Sequence, residues 1–357
     1  MRSIDAKSTI GLICLIGLMG ISGCSSGQLP EPVAEQQIPV NFSGQQGDLQ
    51  AATRATTSLQ ETGVSSFKVW GYKNMSYDGG TSTYGGLQNV FPAYTVNWIA
   101  NSAATTTTNS HEWEYVGINS QTIKYWDFSA NAYRFFAYAS GKATVSPATS
   151  PSPVTEDTSD ATKVSFTTTI DCTTEAGRDA APYFSELWFS NDKLADYGKV
   201  VTLQFIKPFA RVRFQFIYMD RLDVDRSDLS LIKFCPTTGG IATAGSVTVN
   251  YPLTGTGTKE TWSASTTSTI PAFTVDEQWY YVMPAFSQSD YRLEVAVVTN
   301  ELQTATVPSQ FMQWQPGFQY TYVFKITKGG SITLDVIQVA MKDWNEKSTV
   351  DRAVYNW

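Results

Sequence analysis

Short segments rich in Val, Thr, Tyr, Phe and Trp recur along this 357-residue chain, with Gly, Asn, Pro and Ser between them. β-branched and aromatic residues suit a pleated, half-buried surface, whereas the intervening residues suit turns. After residue 24 no long stretch has the 3.6-residue period of an amphipathic helix. The sequence therefore predicts an all-β fold, most simply two β-sandwiches in series. The predicted strands lie at 67–72, 113–116, 133–138, 164–170, 187–190, 200–218, 246–250, 279–283, 292–298, 320–326 and 332–339.

The first 23 residues are typical of an export signal. Arg2 and Lys7 provide a positive start, and the apolar run at 10–21 is too short to cross a membrane as a stable helix. Small residues and a cysteine follow, a pattern similar to the bacterial lipobox. We therefore predict cleavage between Gly23 and Cys24 and lipidation of Cys24, with diacylglycerol on its sulfur and palmitate as part of the lipid, as a tether to the outer membrane. The alternative is an ordinary signal peptide, or a buried helix, with a chance cysteine.

The composition indicates a folded, acidic chain. Apolar residues make up 42% of the sequence and charged residues only 16%, which is enough apolar material for a packed core. The net charge is −7, and no cluster of Lys and Arg alternates with aromatic residues along one face. Both facts argue against nucleic acid as a partner, because nucleic-acid binding needs a basic surface.

Residues that could perform chemistry are few. His111 is the only histidine, and a catalytic triad would require it to converge with other groups, so a solvated or strand-edge histidine is favoured. Glu112 and Glu114 alternate with two aromatic residues, which predicts a polar outer face rather than the carboxylate pair of a glycosidase. No spacing of Cys and His matches a metal site. We predict that the protein is not an enzyme and uses no metal or cofactor.

Two cysteines remain after Cys14 leaves with the signal and Cys24 is lipidated. These are Cys172 and Cys235, which would meet an oxidising environment in the cell envelope. The sequence does not show whether their Cα atoms lie within bridging distance, so a disulfide and two free thiols are both open.

A β-prone segment and a basic residue mark the start of the exported chain. Ile38, Val40 and Phe42 alternate with other residues inside a linker rich in Gln, Pro and Glu, which predicts a short strand. Arg54 is the only Arg or Lys between residues 7 and 68, so a trypsin-like protease would find one target there.

The end of the chain is also β-prone. Aromatic and small apolar residues alternate with polar ones and Val through 353–357, which is unusual for a tail expected to fray. A final strand tied down in its own domain is one explanation, and a strand that pairs elsewhere is another.

Several segments together carry a family resemblance. They are the lipobox at Cys24, Ile38-Pro39-Val40-Asn41-Phe42, Thr53-Arg54-Ala55-Thr56-Thr57, Tyr125-Trp126, Tyr133-Arg134-Phe135-Phe136-Ala137-Tyr138, Phe209-Ala210-Arg211-Val212, Trp314-Gln315-Pro316-Gly317, and the closing Trp344 and Trp357. In this order and spacing they resemble the fimbrillins, the lipoprotein pilin subunits of type V pili in Gram-negative gut and oral anaerobes. The resemblance implies two transthyretin-like β-sandwich domains.

The resemblance also implies a maturation route. A fimbrillin is exported as a lipoprotein, a protease cuts after an arginine, the first strand leaves, and the exposed groove accepts the C-terminal strand of another subunit. Mapped here, an arginine-specific or trypsin-like protease would cut between Arg54 and Ala55 and release the strand that holds Ile38, Val40 and Phe42. The candidate donor residues are Trp344, Val350, Ala353, Val354, Tyr355 and Trp357.

The predicted organisation follows from these features. It comprises a lipoprotein signal peptide at 1–23, a propeptide with the removable strand at 24–54, an N-terminal β-sandwich at 55–222, and a C-terminal β-sandwich at 223–357 whose residues 344–357 form the donor segment. The predicted function is a structural subunit of a cell-surface fimbrium that supports adhesion. Its partners would be other pilin subunits, and a host or bacterial surface ligand would be a further one.

A second function from another class fits the same composition. Ten Trp and eighteen Tyr would allow a surface-anchored glycan-binding lipoprotein of tandem β-sandwiches, although aromatic residues more simply fill sandwich cores. Such a protein would keep Cys24 lipidated and Arg54 uncut. The sequence leaves open a shaft, tip or anchor role and the identity of any adhesive ligand.

Overall fold

Alternating large apolar and polar side chains produce β-strands in almost every part of the chain that the structure describes. The computed structural model describes residues 37–46, 58–79, 86–100, 112–116, 120–145, 148–218, 229–274, 278–286, 289–297, 301–326, 332–341 and 353–356. The strands within them are β1 Phe42–Gln46, β2 Ser66–Asn74, β3 Leu87–Trp98, β4 Trp113–Glu114, β5 Ala132–Ala139, β6 Thr144–Val145, β7 Ala148–Thr149, β8 Val154–Asp157, β9 Lys163–Asp171, β10 Tyr183–Ser185, β11 Trp188–Ser190, β12 Val201–Ile206, β13 Ala210–Tyr218, β14 Leu229–Pro236, β15 Ile241–Pro252, β16 Thr261–Ile270, β17 Phe273–Thr274, β18 Tyr280–Val282, β19 Tyr291–Val297, β20 Glu301–Val307, β21 Phe318–Ile326, β22 Ile332–Met341 and β23 Ala353–Asn356.

Helices within these residues are short. An α-helix covers Glu175–Ala180, and 3-10 helices cover Leu59–Thr62 and Ser309–Phe311. The α-helix begins where the Thr174 hydroxyl accepts a hydrogen bond from Gly177 N at 3.0 Å, as an N-cap residue does. In the described part of the chain, no helix is long and apolar enough to cross a membrane. The prediction of an all-β fold is confirmed.

The strands form four larger sheets and one hairpin. An eight-stranded sheet has the order β1-β12-β10-β5-β2-β3-β4, with β11 paired beside β10 on β5. A five-stranded sheet has the order β18-β13-β21-β22-β23, and two four-stranded sheets have the orders β17-β14-β19-β20 and β16-β15-β9-β8. Most pairs are antiparallel, but β1 runs parallel to β12 and β13 runs parallel to β21.

The eight-stranded sheet packs on both of its faces. One face encloses an aromatic core to which strands β1 to β5, β10 and β12 contribute, including Phe67, Phe135 and Phe205. The other face packs against β9 and β15, where the Phe136 and Tyr251 rings stack with centroids 4.3 Å apart. Strands buried on two faces explain why β5 is buried at all eight positions instead of alternating.

A separate core lies between the five-stranded sheet and the sheet β17-β14-β19-β20. Phe214 from the first sheet and Phe234 from the second meet with ring centroids 4.9 Å apart. Trp314 is fully buried in this core, and its indole N–H donates to the Tyr322 hydroxyl at 3.0 Å. Large aromatic residues therefore fill the core, as the sequence predicts, and the polar ends of Trp314 and Tyr322 satisfy each other.

Backbone pairing crosses the predicted boundary at 222/223. β15, from the second half of the sequence, pairs with β9 from Ala244↔Asp171 to Pro252↔Lys163. β13, which precedes the boundary, pairs with β18 and β21. By contacts, residues 38–357 form one compact unit. The tandem arrangement, the transthyretin-like architecture and the division into 55–222 and 223–357 stay predictions.

The two cysteines left open by the sequence are free thiols. Cys172 is buried beside Phe209 and Met283, whereas Cys235 lies on β14 and is partly exposed. Burial raises the pKa of the Cys172 thiol far above its ordinary value, which keeps that thiol protonated and unreactive.

A pair of glutamates lies where the start of β16 meets the loop after β10. The Glu260 carboxylate accepts a hydrogen bond from Leu187 N at 2.9 Å, next to Glu186. Burial, and then the nearby Glu260 charge, raise the pKa of Glu186 to about 7 from the ordinary value of 4.5, while Lys259 opposes the shift. The proton on Glu186 therefore stabilises this contact between the two halves of the sequence.

This glutamate pair predicts a pH dependence of folding. Because the pKa of Glu186 is raised in the folded state, protonation of Glu186 adds to the free energy of unfolding. This contribution is fully present below about pH 4.5 and is lost as the pH rises through about 7. We expect Glu186→Gln to remove about 2 kcal/mol of this pH dependence, a magnitude that follows from 1.4 kcal/mol per pKa unit. Urea unfolding at pH 5 and pH 8 measures it. Glu175→Gln, at an exposed helix position, is the control; an unchanged pH dependence in Glu186→Gln would contradict the assignment.

Candidate functional site

β1 lies at the edge of the eight-stranded sheet and is held there by one neighbouring strand. It runs parallel to β12, with Phe42 opposite Val201, Gly44 opposite Leu203 and Gln46 opposite Phe205. Just before β1, Val201 N donates to Asn41 O at 2.8 Å. Residues 41–46 therefore pair with β12 from Val201 to Phe205.

The residues before β1 are hydrogen-bonded to a different segment. Val40 N donates to Lys124 O at 2.8 Å, and Trp126 N donates to Ile38 O at 2.9 Å. The chain at 38–46 thus lies in a slot with the 124–126 segment at one end and β12 along the rest. We call this slot the first-strand groove. The sequence pattern indicates a strand at 38–42, whereas the regular strand begins at Phe42 because residues 38–40 pair with 124–126 instead of with the sheet.

Phe42 is the main apolar contact in the first-strand groove. Its ring is fully buried, with centroids 5.1 Å from Phe91, 6.0 Å from Tyr115 and 5.6 Å from Phe135, all edge to face. Val40 is 1% exposed, so it too belongs to the core. Edge-to-face aromatic pairs add stabilisation beyond the area they bury.

Gly44 is closely surrounded by side chains of the core in the first-strand groove. A Cβ atom at this position would lie 3.2 Å from Phe67, and 3.4 Å from both Leu59 and Trp113. A side chain larger than a methyl group would therefore have to displace these three buried residues. Gly44 was not among the residues that the sequence singled out, because a single glycine in a polar stretch gives no signal of tight packing.

Polar atoms fit the first-strand groove less well than apolar ones. Ser43 and Gln46 are almost fully buried. Asn41 Oδ1 and Gln204 Oε1 are buried and have no hydrogen-bond partner within the described part of the chain. A buried polar atom without a partner costs about 1–3 kcal/mol, so the Asn41 oxygen lowers the stability of the docked strand.

One end of the first-strand groove opens onto an exposed apolar patch. Ile38, Tyr125 and Phe128 are 36%, 42% and 47% exposed. A Cβ placed on Gly198 would lie 3.3 Å from Ile38 and 3.6 Å from Phe128, so these side chains are neighbours. The strand therefore passes from a solvent-facing cluster at Ile38 into a buried core at Phe42.

The cleavage and lipidation residues predicted from the sequence lie outside the described residues. They are Gly23, Cys24, Arg54 and Ala55. The described chain resumes at Ser58, which forms a bridge with Gln45, and continues into a 3-10 helix whose Leu59 is fully buried. A cut in the intervening segment would therefore break the covalent link between residues 38–46 and the residues from 58 onward.

The predicted donor residues are described only in part. Trp344, Val350 and Trp357 lie outside the described residues, while Ala353, Val354 and Tyr355 belong to β23. The β23 backbone pairs antiparallel with β22, with Tyr355 opposite Ile337. β23 is therefore the edge strand of the five-stranded sheet and does not contact the first-strand groove in this chain through any described pairing.

The predicted polar face at Glu112 and Glu114 is wrong. Glu114 is only 2% exposed and lies between the buried Trp113 and Tyr115. The reason is local geometry: Glu112 has a φ of 67°, in the left-handed region, and β4 is only two residues long, so the alternation of a regular strand does not apply. His111 lies outside the described residues. Within them, no group of three or more His, Cys, Asp or Glu side chains is placed to hold a metal ion.

Comparison with known proteins agrees with the sequence resemblance. A profile of the fimbrillin-like family matches residues 53–344, and the chain belongs to this family. No curated protein matches the sequence.

Solved structures similar to this chain are distant. A candidate cell adhesion protein from Bacteroides uniformis is 16% identical, with 86% of this chain and 98% of that chain covered and a TM-score of 0.38. A fimbrial assembly protein from Parabacteroides distasonis is 12% identical, with coverages of 88% and 99% and a TM-score of 0.32. A group of candidate polysaccharide-binding proteins from Bacteroides thetaiotaomicron includes one that is 12% identical, with coverages of 82% and 90% and a TM-score of 0.30.

The packing of Phe42 predicts a large effect on the stability of the uncleaved chain. Phe42→Ala should lower the free energy of unfolding by about 3–5 kcal/mol, because it leaves a cavity among three aromatic rings. Ile38→Ala is the matched control in the same segment and should cost about 1 kcal/mol or less, since Ile38 is 36% exposed. Denaturant unfolding of both variants measures the difference, and equal losses would show that the segment is not docked as described.

Proposed function

We propose that this chain is a structural subunit of a cell-surface fimbrium, which polymerises by protease-triggered donor-strand exchange and supports cell adhesion. The observation that carries the proposal is the first-strand groove. Residues 38–46 bury Val40 and Phe42 in the core. Their covalent connection to the residues from 58 onward runs through the segment that contains Arg54. One cut would therefore turn an intramolecular strand into a separate peptide.

Loss of the covalent link is the physical basis of the trigger. While the chain is intact, residues 38–46 face their groove at a high effective concentration, on the order of millimolar for a short flexible connection. After a cut between Arg54 and Ala55 that advantage disappears. The cleaved peptide and any other strand then bind the groove only according to their affinities and concentrations. The unpartnered Asn41 Oδ1 lowers the affinity of the peptide.

The emptied groove would be a strong acceptor. The edge of β12 would present unpaired N–H and C=O groups beside the aromatic residues that now surround Phe42. An added β-strand from a neighbouring subunit satisfies both needs, because its backbone pairs with the edge and its alternate side chains fill the pockets.

The size of the C-terminal residues suits the Gly44 position when the donor strand runs in the direction opposite to β1. If Tyr355 takes the place of Phe42 and the donor runs opposite to β1, Ala353 falls at the narrow Gly44 position and Trp357 at Val40. If the donor runs in the same direction as β1, Trp357 falls at Gly44, where even a methyl group touches three side chains. The steric limit at Gly44 therefore favours a donor antiparallel to β1.

Head-to-tail insertion of this kind produces a fibre. Each subunit offers one groove and one donor strand, which is a heterologous contact that does not close on itself. Lipid on Cys24 would hold the precursor at the outer membrane until an arginine-specific or trypsin-like protease releases it. The partners are then other pilin subunits, and a host or bacterial surface ligand would be bound by the assembled fimbrium.

The rival function is a permanently anchored glycan-binding lipoprotein. The observation that favours it is the exposed pair of Tyr125 and Phe128, since exposed aromatic rings can stack on sugars. In that case the chain would stay uncut at Arg54, and residues 38–46 would remain in place. The state of the N-terminus at the cell surface separates the two functions.

Replacing the cleavage residue should trap the precursor. We expect Arg54→Ala to abolish fibres and to leave lipidated chains that begin at Cys24, because no other Lys or Arg lies between residues 7 and 68. The N-terminal sequence and intact mass of material sheared from the cell surface measure this. Lys199→Ala, at an exposed position, is the control and should give chains that begin at Ala55. Fibres of normal length from Arg54→Ala would contradict the trigger.

Paired cysteines test the direction of the donor. In the antiparallel arrangement Arg352 replaces Gln45 and lies opposite Gln204, so Arg352→Cys with Gln204→Cys should form disulfides between subunits. In the parallel arrangement Asn356 replaces Ser43 and lies opposite Thr202, so Asn356→Cys with Thr202→Cys is the matched control. In a Cys235→Ser background, we expect a ladder on non-reducing gels only from the first pair. A ladder only from the control pair would reverse the direction, and no ladder from fibre-forming variants would exclude the tail as donor.

A further inference from the structure

β2 and β5 separate at one end and leave a cleft between them. Their backbones pair from Asn74↔Ala132 to Lys68↔Tyr138, which is the last pair within the described residues. Residues from 63–68 and 138–143 line this β2/β5 cleft, together with Thr95 of β3, and its volume is about 700 Å³. No residue of 38–46 lines the cleft, so access to it does not depend on removal of the first strand.

Polar and cationic groups line the β2/β5 cleft on both sides. The 63–68 segment provides the Ser65 and Ser66 hydroxyls and Lys68, and the 138–143 segment provides the Ser140 hydroxyl and Lys142. The described lining residues include no Asp or Glu, although the chain as a whole has a net charge of −7. Each wall therefore combines a lysine with hydroxyl groups, which both donate and accept hydrogen bonds.

Lys142 reaches from its own wall of the cleft to the other. Its Cε and Nζ lie 2.8 and 3.1 Å from the point that a Cβ on Gly63 would occupy. Gly63 ends the 3-10 helix Leu59–Thr62 with a φ of 86°, a left-handed conformation that favours glycine, and its missing side chain leaves room for the lysine. No Asp or Glu in the described part of the chain forms an ion pair with Lys142. The charge of Lys142 is therefore available to a ligand.

Lys68, on the opposite wall, is already paired. Its Nζ lies 3.0 Å from Glu156 Oε1, and the same oxygen accepts a hydrogen bond from the Tyr138 hydroxyl at 2.6 Å. This ion pair offsets the charge of Lys68 and fixes its position. An ammonium group has three N–H donors, so Lys68 can donate to a second acceptor in the cleft. Lys142 thus provides the charge for a ligand, and Lys68 provides a positioned donor.

We infer that the β2/β5 cleft binds a saccharide that carries a carboxylate. Lys142 pairs with the carboxylate, because charge-assisted hydrogen bonds are the strong ones. The hydroxyls of the two walls exchange hydrogen bonds with those of the sugar. The volume lies within the range of about 300–1,000 Å³ that is usual for ligand sites, and it exceeds what a single small anion fills. This inference rests on the proposed function, because it names the class of surface ligand that the fimbrium binds.

Binding of three small probes to the uncleaved chain tests this assignment. Glucuronate carries the sugar ring and the carboxylate, glucose carries the ring without the charge, and acetate carries the charge without the ring. We expect saturable binding of glucuronate and at least about fivefold weaker binding of glucose and of acetate, since each lacks one set of contacts. Saturation-transfer difference NMR, titrated with each probe, measures the three dissociation constants.

Substitution of the two exposed lysines gives the matched comparison. Lys142→Met keeps the length of the side chain and removes its charge, so it should weaken glucuronate binding about fivefold and leave glucose binding unchanged. Lys199→Met removes a charge at an exposed position outside the cleft and should change neither. Near-ultraviolet circular dichroism shows that both variants are folded.

The inference is overturned by any of three results. These are no saturable binding of glucuronate, glucose or acetate that binds as tightly as glucuronate, and a Lys142→Met chain that binds glucuronate as the unchanged chain does. Because the uncleaved chain is used, binding is measured without polymerisation. A chain that binds glucuronate but forms no fibres would contradict only the polymerisation, and a chain that forms fibres but does not bind glucuronate would contradict only the ligand.

Discussion

The occupation of the β12 edge by the first strand is the constraint on which the rest of this structure depends. Phe42 closes an aromatic core that β2, β3, β5 and β12 cannot close by themselves, because the sheet ends at β12 and leaves an open side. Backbone bonds to Lys124 and Trp126 hold the segment at its other end. In the uncleaved chain, residues 38–46 close this side of the core.

The first-strand groove combines strong apolar contacts with a poorly matched polar lining. Phe91, Tyr115 and Phe135 form the apolar pocket that holds Phe42. The side chains of Phe67, Leu59 and Trp113 leave little space at Gly44. Asn41 Oδ1 and Gln204 Oε1 remain without partners among the described residues. We propose that such a groove retains its own strand while the chain is continuous and exchanges it once the chain is cut.

The connection between the two halves of the sequence shows where prediction from sequence stops. The alternation in 164–170 and 246–250 predicts both strands, and both are present as parts of β9 and β15. That they pair with each other over nine residues has no local signal, since the two segments are about 80 residues apart and neither contains information about its neighbour. Glu114 illustrates the converse: its pattern predicts exposure, but the positive φ of Glu112 turns it inward.

The sequence by itself determined the all-β class, most strand positions, the single basic residue at Arg54 and the fimbrillin-like family, because periodicity, composition and short motifs are local properties. Only the tertiary structure decided which strand occupies the edge of β12 and how closely the core side chains approach Gly44. These are properties of contacts between residues far apart in the chain. They depend on strand order and on the space between side chains, and no single segment of the sequence specifies either property.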